Sequence, residues 1–198
     1  MHIGDSAQMR APADSVAKYV GGLVCRPDDK VCFYLKIHQI ISQKELSEHD
    51  KELNERFSSE DSVLMDFVLR KYPKAERKSS GLFVLKTTST DGTKAEFGKT
   101  VLVNYTVCDT TGKMLDTNVK DQALKGKIHN PSQIYQPFEF ILGDDGLIAG
   151  WTEGVSYMHK GEKCRILIPS KLAYGEGGFG AIAPFTPLIF DLELVDVK

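Results

Sequence analysis

The chain has 198 residues, of which 41% are hydrophobic and 26% are charged, and its net charge at neutral pH is −2. This size and composition are typical of a globular protein with one core and room for a smaller module. The small net charge gives no reason to expect nucleic acid as a partner, and no apolar run approaches the roughly 20 residues that span a bilayer.

The region before residue 80 is predicted to be helical. Apolar residues recur at helical spacing from Val31 to Ser42, and a strongly charged helix is predicted from Glu45 to Phe57. Ser58 or Ser59 is predicted to cap a third helix. Pro73 is expected to end it, because proline disfavours a helical conformation in the residue before it.

The apolar stripes of these helices are too thin to form a core of their own. Residues 1–79 are therefore predicted to be an extension that braces the rest of the chain or serves as a dimerisation or chaperone arm. The polar segment from Ala75 to Gly81 is predicted to be the linker, and residues 80–198 are predicted to be a second domain.

From Leu82 onward, apolar and polar residues alternate with the period of a β-strand. The alternation is clearest at Val101–Val107 and at Leu188–Leu194, and Cys164–Ile168 predicts a further strand. One amphipathic helix is predicted from Leu147 to His159. These elements predict an α+β fold, an antiparallel β-sheet half-barrel wrapped around one short helix and preceded by a small all-α N-terminal region.

Motifs for metals and cofactors are weak. Cys25 and Cys32 are close enough in sequence to close a small disulfide loop, but no C-x-x-C pair occurs and the five histidines lack ligand spacing. The segment Gly175–Gly180 matches G-x-G-x-x-G, but the AIAPFTP that follows does not predict the helix that a dinucleotide site needs. We interpret this segment as a flap over a cleft and expect neither a metal nor a cofactor.

Six short motifs occur in order along the C-terminal region: VNYT, GKMLDT, PFEFILG, GWTEGV, AYG and PLIFDLEL. Each is weak alone, but their order and spacing together are specific. From Gly81 to Val197 the chain resembles the FKBP-type peptidyl-prolyl isomerases, the family that binds the macrolide FK506. It is most similar to envelope members from Bacteroidetes-like bacteria that carry an N-terminal helical extension.

The resemblance implies a bowl of aromatic side chains that needs no nucleophile, metal or cofactor. Trp151 would form its floor, the Tyr174 hydroxyl would donate to a substrate carbonyl at the rim, and Asp116 would accept a substrate contact or orient Tyr105. The implied catalytic residues are Tyr174, Asp116, Trp151, Phe138, Phe190 and Tyr105, and the implied substrate-binding residues are Leu115, Phe140, Leu147, Ile148, Phe179 and Ile182. Plain core packing explains Tyr105 and Phe190 equally well, and Trp151 could be an ordinary anchor of its helix.

The chain departs from the family pattern in four places. Leu115 replaces an aromatic residue, which makes one wall of the bowl smaller, and Gly146 replaces a position that is often polar. The flap around Phe179 is shortened. The segment between Asp116 and Phe138 is longer than in minimal members.

The resemblance implies a peptidyl-prolyl cis-trans isomerase that acts on proline-containing unfolded or partly folded polypeptides. It also implies an FK506-like macrolide as a ligand, a homodimer formed through the N-terminal helices, and a location in the cell envelope, with the cytoplasm as the alternative. Two other functions remain open: a non-catalytic folding chaperone that uses the same bowl, and a structural scaffold whose bowl is vestigial.

Overall fold

The structure is a computed structural model that describes residues 5–12, 30–36, 42–144 and 146–198. The chain divides into two compact units, one up to Lys51 and one from Glu52 to Lys198. The second unit thus begins well before residue 80, and a domain boundary between residues 79 and 80 stays a prediction. Cys25 lies outside the described residues, so the disulfide between Cys25 and Cys32 also stays a prediction.

The first unit contains a β-hairpin where the sequence pattern predicted a helix. Strands β1 (Ser6–Pro12) and β2 (Lys30–Lys36) pair antiparallel, with Ser6 opposite Lys36 and Pro12 opposite Lys30. The helix predicted from residue 31 is therefore wrong for residues 31–36, and residues 37–41 lie outside the described part of the chain. The run KVCFYLK is rich in β-branched and aromatic side chains, which favour a strand once a partner strand is present.

Helix α1 (Gln43–Lys71) begins at a capping box. The Glu45 amide donates to Ser42 Oγ (3.2 Å), and the Ser42 amide donates to Glu45 Oε2 (2.7 Å). These reciprocal bonds satisfy two of the amide groups that a helix start leaves without intrahelical partners. The predicted end before Pro73 is confirmed.

The predicted break at Ser58 is wrong, because α1 continues through it. The Ser58 hydroxyl donates to the Asn54 carbonyl one turn earlier (2.8 Å), and the Ser62 hydroxyl donates to the Ser58 carbonyl (3.1 Å). Serine satisfies its hydroxyl in this way inside a helix as readily as it caps one. A serine next to a charged stretch therefore does not distinguish the start of a helix from its interior.

The second unit is built on an antiparallel sheet of seven strands. They are β3 (Glu76–Arg77), β4 (Phe83–Thr87), β5 (Thr100–Asp109), β6 (Met114–Thr117), β7 (Phe138–Ile141), β8 (Lys163–Ile168) and β9 (Leu188–Val197). The order is β3-β4-β8-β9-β5-β6, and β7 also pairs with β5. The predicted linker Ala75–Gly81 contains β3, so it is part of the sheet.

Helix α3 (Ala149–Ser156) packs on one face of this sheet. The predicted helix, Leu147–His159, is longer than α3. Its first two and last three residues lie outside α3. Gly150 and Gly154 make the close approach possible, because a Cβ at either position would clash with Ile168 or Ile166 of β8. The structure also contains a short helix that was not predicted, α2 (Lys120–Lys125), between β6 and β7.

The opposite face of β4 and β8 packs on α1. Along β8, Ile166 and Ile168 point into the main core and Leu167 points into a second core, since successive strand residues face opposite sides. Leu64 and Val68 of α1 complete that second core. The helical extension and the sheet therefore share a hydrophobic core from Glu52 onward.

The predicted fold class is confirmed as a mixture of helices and an antiparallel sheet that is not closed. The prediction that the N-terminal region contains only helices is wrong, because β1 and β2 lie there. Within the described residues, no helix is both long enough and apolar enough to cross a membrane.

We expect Leu64→Ala to lower the free energy of unfolding by about 2–5 kcal/mol, because it leaves a cavity in the second core. Leu69→Ala on the same helix is the matched control, since Leu69 is 64% exposed and Leu64 is 2% exposed. Denaturant unfolding followed by tryptophan fluorescence measures both. Equal losses in the two variants would contradict the packing of α1 on the sheet.

Candidate functional site

The floor of the candidate site is the indole ring of Trp151, in the first turn of α3. Its ring meets Tyr105 and Phe190 edge-on, with ring centroids 5.2 Å and 5.1 Å away, and Phe140 at 6.3 Å. Edge-to-face contacts of this kind are the favoured geometry for aromatic pairs. The indole Nε1 is buried and has no hydrogen-bond partner within the described chain.

The rings of Trp151, Tyr105 and Phe190 form the base of a cavity of about 430 Å³. Its lining contains all the predicted site residues except Phe140: Tyr105, Leu115, Asp116, Phe138, Leu147, Ile148, Trp151, Tyr174, Phe179, Ile182 and Phe190. Phe140 lies behind the wall, stacked on Phe138 at 5.4 Å and edge-on to Trp151. The predicted residues thus converge on one hollow, whereas direct substrate contact by Phe140 stays a prediction that its position does not favour.

Five lining residues were not among the predicted site residues: Val107, Gly146, Gly180, Ala181 and Leu188. Val107 and Leu188 lie two residues from Tyr105 and Phe190 on the same strands. Because side chains two apart share a face of a sheet, strand alternation was a signal that could have identified both. Gly180 and Ala181 belong to the flap, where no such periodicity exists.

A hydrogen bond joins two predicted residues at the rim. The Tyr105 hydroxyl donates to Asp116 Oδ2 (2.7 Å), and the Thr117 amide donates to Asp116 Oδ1 (2.8 Å). Burial, followed by the bond to Asp116, raises the pKa of Tyr105 well above its ordinary value. Tyr105 therefore remains a neutral phenol, and its proton is directed at Asp116.

Tyr174 has a different environment. It follows a 3₁₀ turn, Ser170–Leu172, and stacks on Phe179 with ring centroids 5.0 Å apart. Burial raises the pKa of Tyr174, and the negative charge of Asp116 raises it further. Among the described residues its hydroxyl has no hydrogen-bond partner. The cavity rim therefore carries one protonated O–H group that is free to donate.

The flap closes one side of the cavity through a tight turn. The Phe179 amide donates to the Ile182 carbonyl (2.9 Å), and the Ile182 amide donates to the Phe179 carbonyl (2.8 Å). Gly178 has φ +63°, and a Cβ there would clash with the backbone of Ile182 and Pro184. Only glycine fits this position without moving the flap.

Helix α1 contacts both ends of the segment that carries Tyr174 and the flap. Glu60 accepts hydrogen bonds from the Ser170 amide (2.8 Å) and from the Ser170 hydroxyl. At the other end, the Phe185 ring lies 5.6 Å from the Phe57 ring and 3.9 Å from the Arg56 guanidinium. These contacts could not be predicted from the sequence, because nothing in the helix pattern shows which loop its side chains meet.

The cavity combines an apolar lining with one hydrogen-bond donor. Among the residues that the structure describes, no three His, Cys, Asp or Glu side chains lie close enough to hold a metal ion. The lining offers aromatic and aliphatic surface, a paired carboxylate and the Tyr174 hydroxyl. Such a site can desolvate a small ring and hold a neighbouring carbonyl.

Comparison with known proteins agrees with this arrangement. The family model for the FKBP-type peptidyl-prolyl cis-trans isomerases matches residues 91–195, more than half of the chain. The chain belongs to this family. FkpA of Escherichia coli K12, an FKBP-type isomerase by name, is 34% identical over 148 residues, which cover 75% of this chain and 45% of FkpA. The chain thus spans less than half the length of that FKBP relative.

Solved FKBP structures show the same fold. The crystal structure of Escherichia coli FkpA covers 81% of this chain and 75% of its own, with a TM-score of 0.56 and 27% identity. A peptidyl-prolyl isomerase from Pseudomonas syringae pv. tomato covers 73% of this chain and 95% of its own, with a TM-score of 0.56 and 29% identity.

We expect Asp116→Asn to lower the pKa of both Tyr105 and Tyr174, because the negative charge that disfavours their ionisation is removed. Tyrosine labelled with ¹³C at Cζ and followed by NMR resolves each phenol during an alkaline titration. The control is Tyr157, whose pKa is raised by burial and by Glu153 instead. Unchanged titration of both Tyr105 and Tyr174 would contradict the geometry of the rim.

Proposed function

We propose that this chain accelerates cis-trans rotation about X–Pro bonds in polypeptides. The observation that carries the proposal is a ring-floored cavity of about 430 Å³ with one unpartnered, protonated hydroxyl at its rim. A prolyl ring is apolar and compact, and the carbonyl next to it is a hydrogen-bond acceptor. Membership of the FKBP family supports the same reaction.

The physical basis is the polarity of the amide. Rotation about an X–Pro bond crosses a barrier of about 18–20 kcal/mol, which arises from resonance across the C–N bond. Resonance makes the planar amide more polar than the twisted one, so an apolar enclosure destabilises the planar form more. Each difference of about 1.4 kcal/mol in favour of the twisted state multiplies the rate tenfold.

Individual side chains then take distinct roles. Trp151, Phe190 and Phe138 enclose the prolyl ring and exclude water, with Tyr105, Leu147 and Ile148 completing the walls. Tyr174 donates to a substrate carbonyl and holds the chain while the bond turns. Asp116 fixes the Tyr105 ring through its hydrogen bond. Leu115 and Ile182 line the cavity and influence which residue before proline fits.

We infer that the substrates are unfolded or partly folded polypeptides, with an FK506-like macrolide as a competing ligand and chaperone activity alongside isomerisation. The resemblance to envelope members and the similarity to FkpA support a location in the cell envelope, in the periplasm or at the outer membrane. Exposed apolar side chains in the N-terminal region support an arm that meets a second copy of the chain. Examples are Tyr34, which is 79% exposed, and Val63, which is 66% exposed.

We expect Tyr174→Phe to lower kcat/KM for a proline peptide about tenfold, the effect of one hydrogen bond of ~1.4 kcal/mol. We expect Phe138→Ala to lower it by a similar or larger factor, since it opens the cavity to water. Tyr157→Phe is the matched control, because the Tyr157 hydroxyl bonds to Glu153 outside the cavity. Full activity in both cavity variants would overturn the site assignment.

We expect light scattering of the purified chain to give twice the monomer mass of 22.0 kDa, because the N-terminal arm dimerises. Val63→Asp and Leu46→Asp place charges on exposed apolar positions of α1 and should each weaken the dimer without unfolding the helix. A monomer mass for the unchanged chain at high concentration would contradict the dimer.

A further inference from the structure

A second cleft adjoins the prolyl cavity. It measures about 530 Å³ and is lined by Leu102, Tyr105, Asn118, Gln133, Ile134, Gln136, Pro137, Phe138 and Glu139. Tyr105 and Phe138 line both the cleft and the prolyl cavity. The Phe138 side chain, which is 40% exposed, therefore stands between the two spaces. A chain whose proline occupies the prolyl cavity can therefore place its neighbouring residues along the cleft.

The outer wall of this cleft is an ordered part of the fold. Gln133 Nε2 donates to the Thr117 carbonyl at the end of β6 (3.2 Å). The Asn130 amide donates to the Tyr135 hydroxyl (2.9 Å), and the Tyr135 ring stacks on His129 at 5.4 Å. The Gln133 bond joins the long segment between β6 and β7 to the sheet, and the other two contacts order the segment itself, so the cleft does not need a ligand to form.

The lining suits an uncharged polypeptide segment. Ile134 presents an apolar side chain that is 78% exposed, which is unusual for isoleucine. Gln133 and Gln136 carry amide groups that can both donate to and accept from a peptide backbone. The one charged side chain of the lining, Glu139, pairs with Lys198 at 3.0 Å, so the cleft selects for neither sign of charge.

The edge of the sheet gives a second argument for a polypeptide. Among the described strands, β7 pairs with β5 alone, so its other edge carries backbone groups that no strand satisfies. Phe138 and Glu139 at the start of β7 line the cleft. Extended peptides commonly bind by adding backbone hydrogen bonds to such an edge. Three or four extended residues would span about 10–14 Å.

We propose that this cleft is an extended subsite that binds the residues flanking the proline of a client polypeptide, with Ile134 as its apolar anchor. The proposal rests on the isomerase function proposed above and names the class of substrate that the site prefers. Clients long enough to fill both spaces are turned over more efficiently than short proline peptides, and a hydrophobic residue near the proline adds to the effect.

The test compares two substrates, a four-residue proline peptide and a peptide of about ten residues with the same central sequence and an apolar residue on each side. In Ile134→Ser, the ratio of kcat/KM for the long peptide to that for the short one should fall about tenfold, chiefly through KM, because one apolar contact is lost. Leu124→Ser is the matched control. Leu124 is 53% exposed on α2 of the same segment and lies outside the cleft.

The outcomes separate the two proposals. An unchanged ratio in Ile134→Ser, with normal turnover of the short peptide by the unmodified chain, overturns the subsite and leaves the isomerase function intact. No turnover of either peptide by the unmodified chain overturns the isomerase function itself. An equal fall in Leu124→Ser shows a general effect of the segment and also overturns the subsite. Circular dichroism melting of both variants checks that each is folded.

Discussion

The packing of the Trp151 indole against Tyr105 and Phe190 is the constraint on which the rest of the site depends. Three rings that meet edge-on at 5.1–5.2 Å fix one another's orientation and leave a hollow above the indole. Helix α3 can deliver Trp151 to that point only because Gly150 and Gly154 allow it to lie close to β8. The cavity therefore depends on the close approach of the α3 backbone to β8 as well as on the side chains that line it.

From Glu52 onward, helix α1 belongs to the same compact unit as the sheet and the cavity. Glu60 holds the turn that precedes Tyr174, while Arg56 and Phe57 contact Phe185 at the end of the flap. Phe185 has φ +54°, an uncommon conformation for a bulky residue that its surroundings must maintain. The position of the free hydroxyl and of the flap thus depends on contacts from a helix that carries no cavity residue itself.

Much of the fold and site could be predicted from the sequence, for physical reasons. Strand alternation predicted β5, β8 and β9. The order of the six motifs indicated the family, and from it the aromatic residues that share one cavity. The prediction of a first helix was wrong at residues 31–36. The run KVCFYLK fits both the apolar spacing of a helix and the composition of a strand, and pairing with β1 determines that it forms a strand. Phe138 and Phe140 share one face of β7, so strand alternation alone does not show that only Phe138 lines the cavity. The contacts of Glu60 and Phe57 join distant segments, so no local pattern encodes them.

The proposed catalysis requires the cavity to stabilise the twisted imide more than the planar one. Calorimetry with two proline ligands of similar size tests this requirement: a simple N-acyl proline, and an N-(α-ketoacyl) proline. In the second ligand the ketone stands roughly perpendicular to the plane of the prolyl amide, as the acyl carbonyl does in the twisted imide. We expect the α-ketoacyl ligand to bind at least about tenfold more tightly, and Trp151→Ala to remove most of the difference. Equal affinities of the two ligands for the unmodified chain would contradict it.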